Sequence, residues 1–139
     1  MKYLLDTNIV SEVRKGPRCD AGVAAWWRQL DDSDVYLSVL VVGEIRKGIE
    51  LIRRRSADRA AGLEQWLTEL KGVHGHRIVD VDHRVAEQWG RMSAIRNVPT
   101  VDGLLAATAK VHRMTLVTRN EADVASLGVE VLNPFTRKR

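Results

Sequence analysis

Four acids stand where their side chains can act together: Asp6, Glu44, Asp102 and Asp123. Asp6 directly follows the apolar run Tyr3-Leu4-Leu5, and Glu44 lies in Ser38-x-x-x-x-Gly43-Glu44. Asp102 opens a helical stretch just after Pro99 and Thr100, a place suited to a proline. Asp123 closes Thr118-Arg119-Asn120-x-x-Asp123 after another apolar run. Carboxylates gathered at close range cannot all ionise without strong repulsion. A hard divalent cation relieves that repulsion: Mg2+ or Mn2+ prefers oxygen ligands, keeps several waters and shares its shell with phosphate oxygens. The chemistry such a site supports is hydrolysis of a phosphodiester. Thr7, Asn8, Ser38, Thr118 and Asn120 lie beside the acids and can orient ligands and waters. Taken singly, each acid is more simply a cap or turn residue. Glu44, in an otherwise apolar segment, is expected to point inward. The weight lies in the four together.

The elements that must position them alternate along the chain. Short apolar runs that read as buried strands are Tyr3–Leu5, Val35–Ser38, Ile78–Val81, Thr115–Val117 and Val129–Leu132. Between them, apolar residues recur at helical spacing over Asp20–Leu30, Leu40–Arg53 and Ser56–Lys71. The same spacing joins Val85, Trp89 and Met92, then Leu104, Leu105, Thr108 and Val111. This alternation predicts an α/β fold with a central parallel sheet of four or five strands, covered by helices on both faces. Ligands of such sheets bind beyond the carboxyl ends of the strands. If the strands preceding Asp6 and Asp123 are neighbours, their carboxylates emerge side by side, and helix starts bring Glu44 and Asp102 to them.

Length and composition bound the rest. The 139 residues are 45% apolar and 29% charged, enough for a core and against disorder. No repeat or Pro/Gly/Ser-rich linker divides them, so one domain over 1–139 is expected, with about 136–139 as a basic tail. Lysine and arginine outnumber acids 22 to 18, giving +4, which permits an anionic partner without demanding one. The single Cys19 excludes an internal disulfide and fits a reducing cytoplasm. The longest apolar stretch, Val35 to Val42, falls far short of the roughly 20 residues of a membrane span. Asp6 and Asn8 break the amino-terminal run too early for a signal peptide. No GxxxxGK[ST], GxGxxG or GxSxG pattern occurs, so nucleotide hydrolysis, dinucleotide redox chemistry and serine hydrolysis lack their marks.

Arg14, Lys15 and Arg119, with Arg18 beside them, are candidate contacts to the phosphates of an anionic partner. The runs Arg53-Arg54-Arg55 and Arg137-Lys138-Arg139 read equally well as phosphate contacts or as a solvated helix end and a tail. The spacing of Trp26, Trp27, Trp66 and Trp89 favours core or dimer packing over base stacking. His74, His76 and His83 match no zinc spacing.

The segments LLDTN, SxxxxGE, DxxLAATA and TRNxxD together resemble a PIN domain, specifically the VapC-type toxin of VapBC type II toxin–antitoxin pairs. The resemblance runs from Met1 to Leu132-Asn133-Pro134-Phe135. It implies a three-layer α/β/α fold and Mg2+- or Mn2+-dependent endoribonuclease activity on structured RNA such as tRNA, or on rRNA. It further implies a homodimer, and a cognate antitoxin whose carboxyl-terminal segment fills the active-site groove. Carried over by position, Asp6, Glu44, Asp102 and Asp123 become the metal-binding quartet. Asp6 and Asp102 are then direct ligands, and Glu44 and Asp123 act directly or through water. Thr7, Asn8 and Thr118 hold water, phosphate or neighbouring carboxylates. One departure is Val124, where members commonly carry an aromatic. The rival expectation is a non-catalytic binding module that works mainly with a DNA-binding antitoxin at an operator, meeting DNA only through that partner.

Overall fold

The computed structural model describes residues 1–136, and the basic run Arg137-Lys138-Arg139 lies outside the described residues. Strand β1 (Tyr3–Leu5) is followed by helices α1 (Thr7–Arg14) and α2 (Ala21–Arg28), then β2 (Val35–Ser38). Helices α3 (Val39–Arg53) and α4 (Ala57–His74) lead to β3 (Ile78–Val79). Helices α5 (His83–Ile95) and α6 (Thr100–His112) precede β4 (Thr115–Val117), α7 (Glu121–Val124) and β5 (Val131–Leu132). Helices α2 to α5 each start on a side chain that accepts an N–H of the first turn: Asp20 for α2, Ser38 for α3, Ser56 for α4 and Asp82 for α5. Such caps satisfy donors that no helical carbonyl can reach.

The five strands form one parallel sheet in the order β3-β2-β1-β4-β5, as the alternation predicted. β1 lies at its centre, with Tyr3 opposite both Val35 and Thr115. Leu4, Leu5, Leu37 and Leu116 are buried in the sheet against Ile9, Val41, Ile49, Leu67 and Leu105 from the helices. All four tryptophans pack at the edge of this core, and Trp26 meets Tyr3 edge-on at 5.6 Å. No helix among the described residues is long and apolar enough to cross a membrane.

Two strands are shorter than expected. β3 ends at Val79 rather than Val81, and β5 begins at Val131 rather than Val129. Both are edge strands, paired on one side only, so fewer residues find a partner. Helix α1, of eight residues, had no counterpart in the periodicity reading.

The end of α1 is tied to the start of α2 by Glu12, which is 8% exposed. Its carboxylate accepts from Lys15 Nζ at 2.9 Å and from the Asp20 amide at 2.8 Å. Those two bonds hold its pKa below the ordinary 4.5. A depressed acid contributes stability that is present above the unfolded pKa and lost as pH falls through the folded one. Urea titrations should therefore find Glu12→Gln less stable than the parent at pH 7, with the gap closing once the pH is taken well below 4.5. A gap that persists in acid would mean that packing, not charge, holds this junction.

Candidate active site

The acids meet where β1 and β4 end. Asp6 follows β1 directly, and its amide donates to Val117 O at 2.9 Å, which fixes the residue against the last position of β4. Asp6 is 6% exposed, and its carboxylate accepts three bonds. The Thr7 amide donates at 2.7 Å, Thr118 Oγ1 at 2.7 Å and Asn8 Nδ2 at 3.3 Å. Burial raises the Asp6 pKa, and the Glu44 charge adds to that rise, while the Thr118, Thr7 and Asn8 bonds oppose it. The expected neighbourhood of the first and fourth strands is thus present.

Glu44 arrives in the second turn of α3 and accepts from Thr7 Oγ1 at 2.6 Å. It is exposed rather than pointing inward. The stripe of α3 that enters the core is Val41, Ile45 and Ile49, and Glu44 stands one step off it. Asp102 sits in the first turn of α6. Its pKa is pushed up to about 6, first by burial and then by the charges of Asp6, Asp123 and Glu44, with a side-chain hydrogen bond to Asp123 acting in the same direction. One residue therefore feels all three of the others. No ion pair among the described residues involves any of the four.

The family model of the PIN domain matches residues 3–127. The chain belongs to the PIN-domain family. Toxin FitB of Neisseria gonorrhoeae is 33% identical to it over 139 residues, covering 95% of this chain and 97% of that one. VapC ribonuclease Y4jK of Sinorhizobium fredii is 27% identical over 140 residues, covering 95% and 96%. The solved structure of FitAB bound to an IR36 DNA fragment contains a chain that matches with a TM-score of 0.86 at 31% identity, over 99% of this chain and 98% of that one.

The residues around the acids of this PIN domain divide into those that join the site and those used elsewhere. Thr7, Asn8 and Thr118 contact its carboxylates directly. Asn8 Oδ1 also accepts from the Arg119 amide at 3.3 Å. Asn120 takes part through its backbone, its amide donating to Thr118 Oγ1 at 3.0 Å. Ser38 Oγ caps α3, where it accepts from Leu40 N. Lys15 is engaged with Glu12 at the far end of α1, and Arg18 is exposed on the turn beyond. Arg14 lies 5.3 Å over the Trp66 ring and borders a groove of about 280 Å³ that begins at Thr7 and Glu44. The Arg119 guanidinium lies 4.6 Å over the Phe135 ring. Arg53 is held by Glu50 and Glu64, so the Arg53–Arg55 run is in part a structural ion-pair network. His74 is buried at the end of α4, and burial lowers its pKa. Val124 is 2% exposed and fills the core behind Asp123.

The donor set fits a hard cation. It offers carboxylate, hydroxyl and amide oxygens, and the charges of the other three acids add to burial in raising the pKa of Asp102. Among the described residues no three acids converge into a ready-made cage. Arg96, near these acids, was not singled out by sequence reasoning. Its acceptors are backbone carbonyls, which no motif encodes.

Proposed function

We propose that this PIN domain, acting as one unit over 1–139, is the toxin of a type II toxin–antitoxin pair. It is a Mg2+- or Mn2+-dependent endoribonuclease that hydrolyses RNA phosphodiester bonds, in tRNA or rRNA, and a cognate antitoxin silences it. The observation that carries this reading is the uncompensated group of four acids at the carboxyl ends of β1 and β4. The names of relatives support it: one is a toxin, one a VapC ribonuclease. The FitAB assembly on DNA supports contact with DNA through the partner. The chain works as a homodimer in the cytoplasm. The groove from Thr7 and Glu44 past Ser11 to Trp66 is where the carboxyl-terminal segment of the antitoxin lies.

In this reading Asp6 and Asp102 hold the cation, with Glu44 and Asp123 directly or through water. When bound, the ion supplies positive charge and Lewis-acid polarisation at the scissile phosphate. Thr118, Asn8 and the Thr7 amide fix the rotation of the Asp6 carboxylate, so its oxygens keep one direction. The Thr7 hydroxyl does the same for Glu44. Arg14 at the groove and Arg119 beside Asn8 are exposed cations that meet the RNA backbone.

Labelled total RNA incubated with antitoxin-free protein is the direct test. Discrete fragments are expected with Mg2+ or Mn2+, and none with EDTA. Absence of cleavage under either metal would overturn the reading in favour of the non-catalytic module.

A further inference from the structure

Arg96 joins the two segments that carry Asp102 and Asp123. It ends α5 in an extended conformation (φ −154°, ψ 141°) and begins the connection to α6, whose first turn holds Asp102. Its Nη2 donates to the carbonyls of Ala122, at 3.0 Å, and Asp123, at 2.5 Å. Both carbonyls belong to α7, a helix of four residues. A helix so short leaves its carbonyls without helical partners and has little stability of its own. It must be held from outside.

The neighbouring helices are fixed independently. A Cβ built on Gly103 would stand 3.2 Å from the Trp89 ring, so α6 lies close against α5 just where Asp102 emerges. With α5 and α6 locked together, the remaining freedom in the Asp102–Asp123 separation belongs to α7, which otherwise is anchored by Val124 in the core. Arg96 reaches from the locked pair to α7. Its Nε is buried with no acceptor among the described residues. A buried donor without an acceptor costs stability, so an apolar side chain would fill that place with less penalty. The guanidinium is used for its reach and for one terminal nitrogen that donates to two carbonyls at once.

We propose that Arg96 is a positioning residue that sets the separation of Asp102 and Asp123 by clamping the backbone of α7. Its consequence for cleavage rests on the metal-nuclease reading above, whereas the clamp itself does not. Loss of an outer partner of this kind typically weakens metal binding about 10–100-fold.

The test compares Arg96→Met and Arg96→Lys with Leu67→Ala, a core change in α4 that lowers stability without touching α7. Two quantities are read in each folded protein. One is hydrogen exchange at the amides of Asp123 and Leu127, which donate to Asn120 O and Val124 O. The other is the Kd for Mn2+ from calorimetric titration. In Arg96→Met, exchange at both amides should accelerate at least about tenfold, and the Mn2+ Kd should rise about tenfold. Arg96→Lys should recover part of each, and Leu67→Ala should lower Tm while leaving the Mn2+ Kd in place. Unchanged exchange in Arg96→Met overturns the clamp. If the parent protein binds no Mn2+ and cleaves nothing, the nuclease reading falls. The clamp is then decided by exchange alone, supported by acceleration and overturned without it.

Discussion

Asparagine in place of Asp6 or of Asp102 is expected to reduce metal-dependent RNA cleavage by at least about 10³-fold while leaving the fold intact. In the proposed reading each is a direct charged ligand, whose loss removes several kcal/mol of stabilisation of developing charge, and each ~1.4 kcal/mol is tenfold in rate. The fold should survive Asp6→Asn because the new amide oxygen can still accept from Thr118, and burial already disfavours a charge at that place. Asp102→Asn carries a second signature in the metal-free protein. An acid raised to about 6 in the folded state contributes stability that is full below its unfolded pKa of 3.8 and is lost as pH rises through 6. At pH 7 the charge is therefore a burden. Discounted for solvent screening, its removal is worth about 1 kcal/mol, or a few degrees in Tm. Thermal melts in EDTA should find the parent gaining stability from pH 7 to pH 5, and Asp102→Asn lacking that part of the slope. Parent-like cleavage by either variant would remove these acids from the reaction.

The next largest effect is structural. Gly22→Ala should cost about 2–3 kcal/mol, read as a fall of roughly 6–12 °C in Tm. A Cβ at Gly22 would lie 2.3 Å from Pro134 O and 2.9 Å from Thr136 N. Both are backbone atoms, so no side chain can swing away. The stretch of chain they belong to is tied down at the same place. Thr136 Oγ1 accepts from the Gly22 amide at 3.0 Å, and the Thr136 amide donates to Asp20 Oδ2 at 2.9 Å. Moving the segment to admit a methyl group breaks those bonds. A Tm equal to that of the parent would mean that residues 134–136 do not pack on α2.

The sequence carried the sheet because its strands are short apolar runs separated by stretches with helical spacing. Tyr3–Leu5, Val35–Ser38 and Thr115–Val117 coincide with their strands residue for residue. The edge strands drifted because Val129 and Val81 are apolar enough to continue a run but have no partner to pair with. The grouping of Asp6 with Asp123 depends on β1 lying beside β4, which is a property of strand order that no local pattern encodes. Only the combined motifs pointed to it. Glu44 was placed inward because its segment is apolar, yet its angular offset from Val41 and Ile45 leaves it at the rim. Ser38 was read as a ligand-orienting hydroxyl, and its oxygen also serves as the cap of α3. Arg96 left no sign in the sequence, since an arginine that binds carbonyls looks like any solvated one.

The bond between Thr118 and Asp6 spans 112 positions. The site draws on residues from the first strand to the seventh helix, and β1 occupies the centre of the sheet only once β4 has paired with it. During translation the first acid therefore leaves the ribosome long before the groups that hold it. A nascent chain stopped anywhere short of Asp123 has neither the fourth acid nor, if it stops before β4, the strand that buries the first. Pairings across such separations also form late in folding. The four acids are thus brought together only after Asp123 has been made and β4 has paired with β1, so the site is assembled by the whole fold and by no part of it alone.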